Sequence, residues 1–394
     1  MNIRRNLPTR GSRRGKLIGG TVAAVAAASV AVAVIPTTAS ATPHPSASSA
    51  STATSEQAQL QALYQQAKAA GGEVTVYMGG DAPGQWDSLA QAFEAQFPDV
   101  KLHLVTDLSK YLDARIDNQI ATHHPVADVA ILQTTDDFDR WKSEGRLLRY
   151  KPVGYSEVYQ NAKDPQGYWT GVFYGAFSYI VNNSDVPADP SSFNATDLLQ
   201  PQFKGKIILT YPDDDDAVLF GFKQIVDKYG WGYLGKLMAQ DPAFVRGVPG
   251  SAAGVASGKY LASIAVGGDA RPNGQQVFSA SETFNTWVQH GAILQQSQHK
   301  AAAELFLSWI TSQQTQKAAI APWTWSVRSD VTPPTGLKPL ATYRNTNPSA
   351  FSAFMSDRAA VEAFRAQVAL YVGQPQGVDP ADPTGTLGLD PGAF

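Results

Sequence analysis

Apolar positions along this chain follow two periods. Leu60, Leu63, Tyr64 and Ala67 recur at helical spacing and predict a helix from Glu56 that stops at Gly71-Gly72. "EVTVYM" (73–78) alternates as a strand, and "GGDAPGQ" after it is a loop. Residues 86–97 return to helical spacing, with Leu89, Ala92, Phe93 and Phe97 inward. "VKLHLVT" (100–106) predicts a second strand and Ser109–Ala121 a helix. "ADVAIL" (127–132) predicts a buried strand, followed by a helix in "TTDDFDRWKSEGRL" capped near Thr135 or Asp136. Alternation of strand and helix at this spacing predicts an α/β layer with a parallel or mixed sheet.

The later chain repeats the pattern. "GVFYGAFSYIVNN" (171–183) is a long strand, "KIILTY" (206–211) another, and an apolar helix then runs to Tyr229. "WGYLGKLMAQ" (231–240) predicts a helix and "ASIAVGG" (262–268) a strand. Residues 300–318 predict one amphipathic helix, and 349–372 at least one more.

Composition adds a compartment. The first 16 residues hold six basic residues and no acid, an Ala/Val run follows to Ile35, and Ala39-Ser40-Ala41 forms a small-residue cleavage site. That order reads as a signal peptide over residues 1–41, and the twin arginines of "SRRGKLIGG" resemble a twin-arginine export signal. Its removal takes six positive charges and no negative one, so the net charge moves from −3 to −9. An acidic exported chain lacks the basic surface that nucleic-acid binding requires. With no cysteine, disulfides, thiolate metal sites, cysteine nucleophiles and a cysteine-borne lipid anchor are excluded. Residues 42–55, rich in Ser, Thr, Ala and Pro, read as a flexible linker; the Gly/Pro/Asp-rich tail 373–394 reads as loose surface chain.

Read in order, these pieces resemble the extracellular solute-binding proteins of ABC importers, in the branch of the ferric-ion, thiamine and phosphonate binders. The matching stretches are "EVTVYMGGD", "LAQAFEAQFPDVKLHLVT", "ADVAILQTTDDFDRWKSEGRL", "GVFYGAFSYIVNN", "FKGKIILTYPDDDD" and "AAAELFLSWITSQQTQK", spread over residues 72–330. The resemblance implies a two-lobed type II periplasmic-binding fold, a mixed sheet flanked by helices in each lobe, with the ligand cleft between them. It places residues 56–175 and 283–330 in the first lobe and 176–282 and 331–372 in the second. It implies a monomer that binds a small molecule or ion, closes about a hinge and delivers it to an ABC permease, with no cofactor, no catalysis and no membrane segment after signal cleavage.

The candidate ligand residues lie where strands end in loops. They are Gly80 and Asp81 after the first strand; Thr134, Thr135 and Asp136 after the third; Tyr174 on the long strand; Gly268 and Asp269 after the second-lobe strand; and Trp323 and Trp325 after the late helix. Each has a plainer structural reading as turn, cap or core. The iron binders carry a tyrosine pair where this chain reads "AVGGDARP", and Asp81 stands where an iron-binding histidine is expected. His123-His124 read as solvated loop residues. Asp213, Asp214, Asp215 and Asp216 precede a helix that needs one capping acid and gains from one more. The surplus carboxylates point to a ligand of cationic character, an organic amine or a metal complex; the plainer reading is a solvated acidic turn. No G-x-S-x-G, H-E-x-x-H or cysteine supports a secreted hydrolase. A scavenger or sensory binding protein without an importer is the other reading.

Overall fold

The structure, a computed structural model, describes residues 47–185 and 189–388. The first half alternates α1 (Ala47–Ala69), β1 (Glu73–Gly79), α2 (Asp87–Gln96), β2 (Lys101–Asp107), α3 (Ser109–Thr122), β3 (Val129–Leu132) and α4 (Thr135–Ser143). After β4 (Thr170–Asn182) come β5 (Ile208–Thr210), α5 (Asp216–Tyr229), α6 (Trp231–Met238), β6 (Ala243–Val245), α7 (Val248–Ala256), β7 (Ala262–Val266) and β8 (Gly274–Val277). The chain returns through β9 (Asn285–Ile293), α8 (Lys300–Thr311) and α9 (Gln313–Thr315), and ends in α10 (Pro348–Ser356) and α11 (Arg358–Val372).

One mixed sheet runs through the molecule in the order β2-β1-β3-β9-β4-β7, with β8 also on β4. β1 is parallel to β2 and β3, whereas β3–β9 and β9–β4 are antiparallel. β3 and most of β1 are buried, because helices cover both faces, so they read as apolar runs. On one face Leu60, Phe93, Phe97, Phe306 and Trp309 form a core; on the other, Ile116, Phe138 and Trp141 form a second. The largest core gathers Ile180, Leu209, Phe222, Leu234 and Ile264 with Phe351, Val361 and Val368 of the last two helices.

The fold is two-lobed, and β4 and β9 carry the chain between the lobes. Thr170–Phe177 of β4 pairs with β9, whereas Ser178–Asn182 pairs with β7 and β8. Gly175 lies at this crossing. A Cβ there would fall 2.2 Å from Cζ2 of Trp287, so only glycine lets that indole lie flat on β4.

Several local expectations are corrected. α1 begins at Ala47, inside the stretch expected as linker; residues 1–46 otherwise lie outside the described residues. Ala92 is exposed, so the inward face of α2 is Leu89 and Phe93. The helix expected over 300–318 breaks at Ser312, whose backbone is extended and whose hydroxyl accepts from the Thr315 N–H. The tail, expected to be loose, is turned and hydrogen-bonded: the Asp382 carboxylate accepts from the N–H groups of Thr386 and Leu387. The apolar spacing does not announce β6, α7, β8 or β9.

Candidate functional site

A cavity of about 780 Å³ opens between the lobes. Its first-lobe wall is the Gly79-Gly80-Asp81 turn, Trp86 and the start of α3. Its second-lobe wall is Asp214–Asp216 and the first two turns of α7. The floor is the crossing strands, with Phe173, Gly175 and Phe177 of β4 against Trp287 and Gln289 of β9.

Aromatic rings dominate one side. Phe173 meets Trp323 edge-on at 5.0 Å, and Trp86 lies 5.9 Å from Phe173 and 6.0 Å from Trp323. The Trp86 Nε1–H donates to the Gly79 carbonyl, which fixes the ring beside the first turn. Trp323 is 49% exposed, the rim of this cluster. On the floor Phe177 packs edge-on against Trp287 at 4.7 Å, and the Trp287 Nε1–H donates to Gln289 Oε1.

The four consecutive aspartates divide sharply. Asp214 receives Arg246 through both carboxylate oxygens, with Nη2 to Oδ1 at 2.8 Å, and Lys110 approaches at 3.6 Å. Asp216 pairs with Arg365 at 2.7 Å. Asp213 lies outside the cavity lining and pairs with Lys110 at 3.3 Å and Arg365 at 3.4 Å. Asp215 is the helix cap: its Oδ1 accepts from the N–H groups of Ala217 (2.7 Å) and Val218 (2.9 Å). No basic side chain pairs with it among the described residues.

Asp81 is the second such carboxylate. Its Oδ2 accepts from the N–H of Val248, the first residue of α7, at 2.9 Å, so the contact spans the two lobes. Burial pushes the Asp81 carboxyl up to about 6 against the pull of that N–H, and the charges of Asp214 and Asp379 add to the push. Burial likewise raises Asp215 well above the usual carboxylate range, with the Asp81 charge next in weight. The Asp81 charge thus raises Asp215 across the cleft, while Asp81 itself is raised by burial and by Asp214 and Asp379.

The other expected ligand residues separate into two groups. Gly80, Gly268, Asp269, Trp323 and Trp325 border the cavity. Asp269 is exposed and salt-bridged to Arg271, which holds its carboxyl down at about 2. Trp325 is buried and spends its N–H on the Lys338 carbonyl. Thr134, Thr135 and Asp136 are not in the lining. They sit at the start of α4, near Asp113, whose carboxyl is raised by burial and by Asp137. Tyr174 points away from the cleft, its hydroxyl donating to Asn161 Oδ1 at 3.2 Å. The strand period explains this: Phe173, Gly175 and Phe177 share the cleft face, and Tyr174 between them takes the opposite one. Phe173, Phe177, Trp287, Gln289 and Val248 were missed. Alternation within "VFYGAF" would have found the first two.

No tyrosine or histidine borders the cavity among the described residues. Nor do three His, Asp or Glu side chains among them converge so as to hold a metal ion.

Residues 79–317 match the family model of bacterial extracellular solute-binding proteins. Among solved structures, iron-bound HitA from Pseudomonas aeruginosa is 17% identical, with a TM-score of 0.59 over 75% of this chain and 99% of that one. The periplasmic binding protein AfuA from Actinobacillus pleuropneumoniae, bound to fructose-6-phosphate, is also 17% identical, with a TM-score of 0.63 over 77% and 99%. The substrate-binding protein of an ABC transporter from Agrobacterium tumefaciens is 12% identical, with a TM-score of 0.62 over 74% and 94%. At these identities the likeness is one of fold. No curated protein sequence matches the chain.

Proposed function

This chain belongs to the bacterial extracellular solute-binding proteins, and from that premise we propose that it captures a small organic cation between its lobes and delivers it to an ABC permease. The family is one of binding proteins rather than enzymes. The observation that carries the ligand class is the pair Asp81 and Asp215: two carboxylates on opposite walls of an aromatic cavity, held by backbone N–H groups and by no basic side chain. An ammonium group between them supplies the missing charge, and the faces of Trp86 and Trp323 suit its alkyl substituents. The absence of a convergent ligand set among the described residues favours an organic cation over a bare metal ion.

In this reading residues 56–175 with 283–330 act as one rigid body and 176–282 with 331–372 as the other. The hinge lies in β4 and β9 near Gly175. Contacts that need both lobes, such as Asp81 with Val248 and Lys110 with the Asp213 carbonyl (2.6 Å), form only on closure. The protein works outside the cytoplasm as a monomer, exported by the signal in residues 1–41 and without a lipid anchor. No helix among the described residues is long and apolar enough to cross a membrane.

The test is a thermal-shift screen with choline, putrescine, thiamine, ferric citrate, fructose-6-phosphate and methylphosphonate. A ligand at about 100 times its Kd stabilises by roughly 2.7 kcal/mol, a few degrees for a protein of this size. The reading predicts shifts from the organic cations alone. A shift from the phosphate or phosphonate alone contradicts it.

A further inference from the structure

The chain does not end at its last helix, and its course beyond that helix is not random. α11 belongs to the second lobe, with Val361, Phe364 and Val368 in the large core. From Gly373 the chain crosses toward the first lobe. The Gly377 carbonyl accepts from Arg246 Nη1 at 3.4 Å, still on the second lobe. Pro380 then packs on Gly247, close enough that a Cβ added to that glycine would meet the proline ring at 3.1 Å; the Asp81 carbonyl lies at the same distance. Ala381 is buried. Asp382 folds the next turn on itself, accepting from Thr386 N–H (3.0 Å) and Leu387 N–H (2.8 Å). At the far end the Gly388 carbonyl accepts from Arg115 Nε at 2.5 Å, and Arg115 is on α3 of the first lobe, where it pairs with the buried Asp107.

This segment therefore starts on one lobe and is tied to the other. It passes the point where Asp81 touches the start of α7, at the edge of the ligand cavity. The crossing strands join the lobes at the floor of the cleft; the tail joins them beside Asp81. We propose that residues 377–388 are a strap that latches the lobes together, so that opening requires release of the Arg115–Gly388 tie or of Pro380 from Gly247. Asp382 shapes the strap from within, its carboxylate accepting from Thr386 and Leu387 of the strap itself. The latch holds whatever ligand the cleft takes, so its test needs none.

The chain has no cysteine, so two can be introduced and labelled cleanly. Nitroxides at Gln65→Cys on α1 and Lys236→Cys on α6, both exposed, report the distance between the lobes by pulsed dipolar spectroscopy. The full chain is expected to give a single narrow distance. The chain shortened to end at Gln376 is expected to give a second, longer distance alongside it. Asp382→Ala, in the full-length chain, is expected to reproduce that longer distance and is decisive if shortening the chain lowers its melting temperature. Identical distributions in the full, shortened and Asp382→Ala proteins, whether narrow or broad, overturn the proposal.

Discussion

Two groups of buried and half-buried carboxylates in this molecule are treated in opposite ways. At the base of the first lobe Arg328 is fully buried, and every charge around it is answered. Its Nη2 donates to Glu56 and to Asp330, both at 2.8 Å, its Nε donates to Asp330 at 2.8 Å, and its Nη1 donates to the Thr311 carbonyl. Glu56 also accepts from the Gln313 N–H, which ties α1 to α9. In the cleft, Asp81 and Asp215 receive backbone N–H groups and no cation, although Lys110, Arg246 and Arg365 are near enough to serve their neighbours. The basic residues are spent on Asp213, Asp214 and Asp216. Desolvated charge without a partner is costly, and in the proposed function the ligand supplies the compensation that Asp81 and Asp215 lack.

The comparison breaks most visibly at Arg328. Arg328→Met leaves buried Glu56 and half-buried Asp330 without a cation, and a loss of about 3–5 kcal/mol is expected, read by urea unfolding. Asp81→Asn and Asp215→Asn are expected to do the reverse for stability, leaving it equal or higher, since each removes a carboxyl whose ionisation burial opposes. Asn keeps the cap at position 215. The same substitutions should weaken a bound organic cation by about 1.5–3 kcal/mol each, tenfold or more in Kd by calorimetry.

Proton competition sharpens the point. Burial pushes the Asp81 carboxyl up to about 6, above the ordinary carboxylate value, so its ionisation opposes folding. Its contribution to stability is fullest below the ordinary carboxylate value and is lost as pH rises through 6. A bound cation favours the ionised form, so affinity should be highest above pH 6 and fall as pH drops through it. Calorimetry at three pH values, with buffers of different ionisation heat, reads both the affinity and the released proton. The smallest effect is expected from Trp323→Ala, at the exposed rim: about 0.5–2 kcal/mol in affinity, with stability nearly unchanged, by the same titration.

Much of the fold is legible in the sequence because helical and alternating periods are local. β1 to β4, α2 to α6 and β7 lie within a few residues of where apolar spacing puts them. β9 escaped because it is buried along its whole length yet carries Asn285, Thr286, Gln289 and His290. His290 is stacked on Trp169 at 3.8 Å, and burial pulls its imidazole down to about 3, where it is neutral and tolerable in a core. No single-strand pattern announces that. The aspartate run was conspicuous in the sequence, but its meaning depended on residues far away. Lys110, Arg246 and Arg365 lie on three different elements, and only folding shows which carboxylates they satisfy. Asp81 was readable as a loop acid; that it reaches α7 of the other lobe was not.

The most direct measurement is a side-by-side thermal-shift titration of the unmodified protein and the Asp81→Asn/Asp215→Asn double variant, at pH 7.5, with choline, putrescine, thiamine and fructose-6-phosphate. At least one organic cation is expected to raise the melting temperature of the unmodified protein and fail to move the double variant, while fructose-6-phosphate moves neither. A ligand that stabilises both proteins equally, or an anion that binds better once the two carboxylates are gone, contradicts it.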